Sequence, residues 1–319
     1  MAFPPSPLAP HLGRQRFLVL DGGLATELER RGANLRDPLW SARVLLDQPE
    51  AIRAVHLDYL RAGADVIVGA SYQASLEGLL RHGLSVRGAE TVLRRSVALA
   101  VDARDEFLAT TSLKGRVRPL VAASIGPYGA FLHDGSEYRG DYGLTDRELR
   151  AFHQPRLEVL ATAGADLMAC ETIPSRREAD VLVDLMERRG EVVGWVSFTG
   201  GEPGRISDGT SFEVCVAGLT GARSVVAIGI NCTPADQIAD LLEAAEPATV
   251  PFVVYPNGGG WYDGRTGEWQ GEARADDIPP LVDRWYDLGA RLIGGCCRTT
   301  PNTISAIRDL LERTPDERP

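Results

Sequence analysis

The sequence predicts an α/β fold, a single (β/α)8 barrel, and three observations carry that prediction. Eight short apolar runs recur along the chain, each leading into turn residues and, in most cases, a helix-period stretch. The runs are continuously apolar rather than alternating, the pattern of strands covered on both faces, which favours a parallel sheet. Three helices stop in related phrases: Arg61-Ala62-Gly63-Ala64-Asp65, Ala163-Gly164-Ala165-Asp166 and Leu288-Gly289-Ala290-Arg291. Each is a glycine helix stop that leads into a strand.

In chain order, residues 17–20 form the first run and end at Asp21-Gly22-Gly23. Pro49 opens a helix over 50–62, and the second run follows at 64–69. The third run, 118–124, ends at Ile125-Gly126-Pro127. A helix over 146–163 feeds the fourth run at 166–169, and a helix over 176–189 stops at Gly190 before the fifth at 191–197. The sixth run is 224–230; Thr233-Pro234 then supplies a cap followed by proline at its preferred first helical position. The seventh run is 249–254, and the eighth is 291–293, followed by Gly294-Gly295. Thr300-Pro301 opens the last helix, 304–311. Long loops follow the third, fifth and seventh runs, on the face where barrels build their sites. A doubly wound sheet is the alternative, but Asp21-Gly22-Gly23-Leu24-Ala25-Thr26 does not match the dinucleotide fingerprint.

The expected organisation is a flexible arm over 1–15, the barrel over 16–313 and a tail over 314–319. Of the 319 residues, 44 % are apolar, enough for a sizeable core. The net charge of -10 argues against nucleic acid as a partner and suits a cationic small molecule or a metal. The first ten residues lack the pattern of a secretory signal, and no apolar run approaches a membrane span, so a cytoplasmic chain is expected. The oligomeric state is left open.

Five cysteines do not make a disulfide scaffold. Cys170 and Cys215 read as small buried hydrophobes. Cys232 follows the sixth run, and Cys296 and Cys297 follow the eighth. One strand between them leaves a gap of roughly 10 Å. Two Zn–S bonds span about 4.6 Å, and inward-leaning loops can cover the rest. Neighbouring cysteines in an extended chain point apart, so a sharp turn is needed, which Gly294 and Gly295 are expected to allow through left-handed dihedrals. Three thiolates without a fourth protein ligand match a catalytic zinc with an open position. Inert thiols are the alternative on spacing alone. None of the five histidines falls at a strand end, and the only lysine, Lys114, lies upstream of the third run, which disfavours Schiff-base chemistry.

The strand-end phrases together carry a resemblance. They are Asp21-Gly22-Gly23, Ser71-Tyr72-Gln73-Ala74, Gly126-Pro127-Tyr128-Gly129, Glu171-Thr172-Ile173-Pro174, Asn231-Cys232-Thr233, Tyr255-Pro256-Asn257 and Gly294-Gly295-Cys296-Cys297. From about Phe17 to Leu311 the chain resembles the zinc-dependent homocysteine S-methyltransferases, and its glutamate phrase looks like that of the S-methylmethionine-dependent group. Ala70 departs from that group, where threonine is common. The resemblance implies zinc held by Cys232, Cys296 and Cys297, with homocysteine bound through its sulfur at the open position. It implies that Asp21, the Gly22 amide and Glu171 hold the amino-acid end of homocysteine, and that Asn231 supports the first ligand.

The expected reaction is methyl transfer from a sulfonium, S-methylmethionine or S-adenosylmethionine, to the homocysteine thiolate, giving methionine. Tyr72, Tyr128 and Tyr255 are candidates to hold the donor cation, each such contact contributing about 0.5–2 kcal/mol. Trp261, Tyr262 and Trp269 are candidates to cover the mouth or an interface. The alternatives are transfer to selenocysteine and a barrel that binds zinc and homocysteine without transferring anything.

Overall fold

The computed structural model describes residues 3–34, 41–113, 115–245 and 248–313. Lys114 and the tail over 314–319 lie outside the described residues. The chain forms β1 (Leu18–Val19), β2 (Val66–Val68), β3 (Leu120–Ile125), β4 (Leu167–Ile173), β5 (Gly194–Phe198), β6 (Val225–Pro234), β7 (Phe252–Asn257), β8 (Trp261–Asp263), β9 (Glu268–Gln270) and β10 (Ala290–Ile293). Eight of these make one parallel sheet in the order β1-β10-β7-β6-β5-β4-β3-β2, with helices around it, as the apolar runs predict. The sequence reading did not anticipate β8 and β9, which form an antiparallel hairpin within the loop after β7.

Strand alternation explains the continuous apolar runs. Leu18, Leu20, Val66, Leu120, Leu167 and Leu292 pack together inside the barrel. Their neighbours Val19, Ile67, Val121, Met168 and Ile293 belong to the outer core beneath the helices. Both faces are dry, so both are apolar.

The sheet ends meet at β1 and β2, where Leu20 and Val66 form a single bridge. Two carboxylates clip this seam. Asp65 Oδ2 accepts the Val19 N–H at 3.0 Å, and Asp21 Oδ2 accepts the Val68 N–H at 2.8 Å.

The expected arm over 1–15 carries a short helix. Leu8–Leu12 is a helix, and Leu8 is buried among the interior residues at the strands' N-terminal end. Burying that leucine closes the barrel floor and holds the segment. Among the described residues no helix is long and apolar enough to cross a membrane.

Candidate metal and substrate site

The three strand-end cysteines converge. The Sγ atoms of Cys232, Cys296 and Cys297 all lie within 4.8 Å of one another, and Cys232 and Cys297 are 3.6 Å apart. The intervening strand closes the expected gap. The Cys296 N–H donates to the Pro256 carbonyl at 2.8 Å, the Gly258 N–H to the Cys297 carbonyl at 2.8 Å, and Asn257 Nδ2 to the Cys232 carbonyl at 3.1 Å. The Tyr255-Pro256-Asn257-Gly258 phrase thus holds both cysteine segments.

The turn that aims the cysteines is not made where the sequence suggested. Gly294 and Gly295 do not have left-handed dihedrals; Cys232 (φ 47°) and Arg298 (φ 63°) do. Gly294 and Gly295 are needed for space, since a Cβ there would lie 2.6 Å from Leu20 Cβ and 2.4 Å from Thr299 Oγ1.

The donor set suits a metal. Hydrogen bonds from Cys296 and Cys297 hold the Cys232 thiol well below its ordinary range, and the Cys232 sulfur in turn pushes both of the others well above theirs. Three sulfurs this close, one buried and two partly buried, strongly disfavour joint ionisation without a cation. Their separations match what two Zn–S bonds of about 2.3 Å each span. Tyr138 adds its hydroxyl at 3.3 Å from the Cys232 sulfur.

Asp21, Gly22, Glu171, Tyr72 and Tyr255 line one cavity with the cysteines. Burial drives the Asp21 carboxyl well above its ordinary range; the Val68 amide opposes this, while Glu171 and Cys296 add to it. Burial pushes Glu171 up to about 8, against hydrogen bonds from the Ser124 and Tyr255 hydroxyls. Tyr255 is itself held by Trp195 Nε1 at 2.9 Å and the Ser197 hydroxyl at 2.6 Å.

Asn231 is wholly buried beneath the site. Its Oδ1 accepts from the Thr172 N–H and the Ser197 hydroxyl, and its Nδ2 donates to Thr172 Oγ1 and lies 3.8 Å from the Cys296 sulfur. Thr172 has φ 60°, so this residue fixes an unusual bend directly after Glu171.

Tyr128 is placed differently from the expectation. It begins the helix Tyr128–Leu132, and its ring packs on Phe131, Tyr142 and Phe152 at 5.5, 5.4 and 4.9 Å, outside the cavity lining. The phrase around it supports the site through its glycines. A Cβ on Gly126 would lie 2.6 Å from the Tyr72 carbonyl, and one on Gly129 would lie 2.3 Å from the Glu137 nitrogen.

Sequence reasoning missed Glu137 and Tyr138, which line the cavity from the 3-10 turn Ser136–Tyr138. Gly135 just before them, in a long loop on the mouth face, was the available signal. In the loop after β7, Tyr262 and Trp269 line the cavity, whereas Trp261 is largely exposed.

The profile of the homocysteine S-methyltransferase family matches residues 18–311. Over 304 residues the chain is 47 % identical to homocysteine S-methyltransferase YbgG of Bacillus subtilis (strain 168), covering 95 % of this chain and 96 % of that one. Over 307 residues it is 46 % identical to the selenocysteine Se-methyltransferase of Brassica oleracea var. italica, covering 92 % and 89 %. The metallated form of the homocysteine methyltransferase MmuM from Escherichia coli superposes with a TM-score of 0.86 at 45 % identity, covering 95 % of this chain and 99 % of that one.

Proposed function

The chain belongs to the homocysteine S-methyltransferase family, and on that premise we propose that it transfers a methyl group from a sulfonium donor, S-methylmethionine first, to the sulfur of homocysteine. The observation that carries this reading is the trio of sulfurs within 4.8 Å of one another in a cavity that also holds Asp21 and Glu171. Cys232, Cys296 and Cys297 would hold zinc. When bound, zinc supplies a Lewis acid at which the homocysteine thiol, ordinarily near pKa 8.5, is kept as thiolate at neutral pH.

The chain's own groups do the rest. Asp21 and Glu171 receive the α-ammonium of homocysteine, and the Gly22 amide faces its carboxylate. The incoming cation offsets the burial that raises both carboxyls, so both ionise as homocysteine binds. The Tyr255 hydroxyl and Ser124 keep Glu171 oriented. Asn231 steadies Thr172 and Cys296. The Tyr72 ring offers its face to the sulfonium.

The homocysteine sulfur then forms a bond to the methyl carbon as the carbon–sulfonium bond breaks. The bonding pair leaves with the donor sulfur as a neutral thioether, and the thiol proton has gone to solvent. No general acid is required, in keeping with a cavity lining that includes no histidine among the described residues. With S-methylmethionine both products are methionine. The three thiols must stay reduced to hold zinc, which supports a reducing compartment, the cytoplasm, as the protein's location.

The test is to supply zinc-loaded protein, homocysteine and methyl-labelled S-methylmethionine, and to quantify labelled methionine by mass spectrometry. Cys232→Ala should lose both bound zinc and turnover. Full activity in that variant would sink the reading. The likeness to a selenocysteine Se-methyltransferase favours one second reading, selenocysteine as acceptor. Comparing kcat/KM for the two acceptors decides between them.

A further inference from the structure

One acidic group in the cavity is not used by the mechanism above. Glu137 is 8 % exposed and lines the cavity, and its Oε2 has no hydrogen-bond partner among the described residues. No ion pair reaches it among them either. The nearest cation in sequence, Arg139, is engaged with Asp134 and Asp141. A hydrogen bond from its own backbone N–H favours the charged form, but the carboxyl has no ion pair, and buried charges are ordinarily paired or neutral. Burial pushes Glu137 up to about 7. The turn carrying it is firmly seated: Thr199 Oγ1 donates to the Glu137 carbonyl at 3.2 Å, and Gly129 leaves room for its backbone. The carboxylate is thus held in the cavity by design of the loop.

Its surroundings point to an organic cation. Tyr72, Tyr138 and Tyr262 all feel the Glu137 charge, and the same rings feel Cys232 or Cys297. Tyr262 in turn packs at a tilt against Trp269, with ring centres 6.0 Å apart. Asp21 and Glu171 have a different electrostatic neighbour, Cys296. Glu137 precedes Tyr138, whose hydroxyl lies 3.3 Å from the Cys232 sulfur, whereas Glu171 precedes Thr172, which Asn231 links to Cys296, so the acidic groups approach the cluster at different sulfurs.

An in-line displacement places nucleophile and leaving group on opposite sides of the methyl. When both reactants are amino acids, their two ammonium groups need two separate anchors. We propose that Glu137 is the counter-charge for the α-ammonium of the sulfonium donor, and so the residue that selects donors with an amino-acid head. This rests on the sulfonium-donor reading above. The sulfonium itself is the wrong partner for a carboxylate. It loses its charge as the methyl leaves, so a carboxylate against it would favour the ground state over the transition state. The ammonium keeps its charge throughout. Its contact with Glu137 is equally strong before and during transfer, which lowers KM and leaves kcat alone.

The test uses the zinc-loaded enzyme with saturating homocysteine and two donors, S-methylmethionine and the sulfonium that lacks its amino group, dimethyl(3-carboxypropyl)sulfonium. The wild type should prefer S-methylmethionine in kcat/KM by about 10- to 100-fold, the worth of one charged hydrogen bond. Glu137→Gln should erase that preference through the KM for S-methylmethionine. Its kcat, homocysteine KM and bound zinc should match the wild type. Glu137→Asp, which keeps the charge, should retain most of the preference. Calorimetric titration with S-methylmethionine should show the same loss of affinity in Glu137→Gln without turnover. A preference unchanged in Glu137→Gln, or a loss that falls on the homocysteine KM, overturns the assignment. Should the wild type itself transfer nothing from S-methylmethionine, it is the functional reading that fails.

Discussion

At the scale of single residues, Glu137 has a consequence for stability that is independent of turnover. Its carboxyl titrates near 4.5 when unfolded and at about 7 when folded. Between those values the native state retains a proton that the unfolded chain has released, so stability falls as pH rises through that window. Below it the burden is absent, and above it the burden is complete. A shift of that size corresponds to about 3 kcal/mol. Asp134 and Arg139 face the group from its own loop, one raising and one lowering its pKa, while Tyr138 and Tyr142 of that loop and Tyr72 and Tyr262 from other elements stay neutral in this range. Thermal unfolding of wild type and Glu137→Gln at pH 5 and pH 8 checks this. The variant should gain on the wild type between the two, and saturating S-methylmethionine should narrow the gap at pH 8. Midpoints that move in parallel would show that Glu137 is not carried as a buried charge.

At the scale of elements, two loops build one wall of the cavity. The loop after β3 carries Glu137 and Tyr138, and the loop after β7 carries Tyr262 and Trp269. They meet closely: a Cβ on Gly264 would lie 2.2 Å from the Asp134 carbonyl. Gly129 seats the first loop from below. Gly129→Ala should displace the Ser136–Tyr138 turn, lowering kcat/KM for the donor at least 10-fold (about 1.4 kcal/mol in transition-state binding), with the homocysteine KM and zinc content kept. Loss of zinc in that variant would mean that the turn also frames the cysteines. This wall is the part the sequence hid. Strand positions were legible because both faces of each strand are apolar, and the cysteines because Asn231-Cys232 and Gly294-Gly295-Cys296-Cys297 stand at strand ends. A loop glutamate carries no periodic pattern to separate burial from solvation. Tyr128 misled for the same reason. Its place after a strand end was visible, but the helix it starts turns its ring to Phe152. Gly294 and Gly295 were legible as necessary, though for space rather than for dihedral freedom.

At the scale of the whole molecule, barrel closure and substrate binding share one seam. β1 and β2 are joined by little backbone pairing, and Asp65 and Asp21 reinforce them at opposite ends. Asp65 sits near the floor, wholly buried, and also receives Arg308 from the last helix and Gln15 at 2.7 Å. Arg308 further binds the Gly63 carbonyl at 3.1 Å, so this cluster ties the final helix to the first strands. Asp21 makes the corresponding contact at the mouth, where its remaining surface belongs to the cavity. The two aspartates therefore predict opposite phenotypes. Asp65→Ala takes from buried Arg308 its wholly buried carboxylate, leaving it Glu312 and the Gly63 carbonyl, and leaves the Val19 amide unsatisfied, and should destabilise the fold by about 3 kcal/mol. Its homocysteine KM should be unchanged where the variant remains folded. Asp21→Asn keeps an oxygen to accept the Val68 amide and removes a buried acid that burial disfavours, so its unfolding midpoint should hold or rise. The lost negative charge should raise the homocysteine KM by 10-fold or more, the loss expected for one charged contact of about 1.5–3 kcal/mol. Denaturant unfolding and steady-state kinetics on both variants separate the roles. Were Asp21→Asn to unfold as readily as Asp65→Ala, the mouth carboxylate would be a structural clip first. A raised homocysteine KM in folded Asp65→Ala would instead show that the floor communicates with the site through the seam.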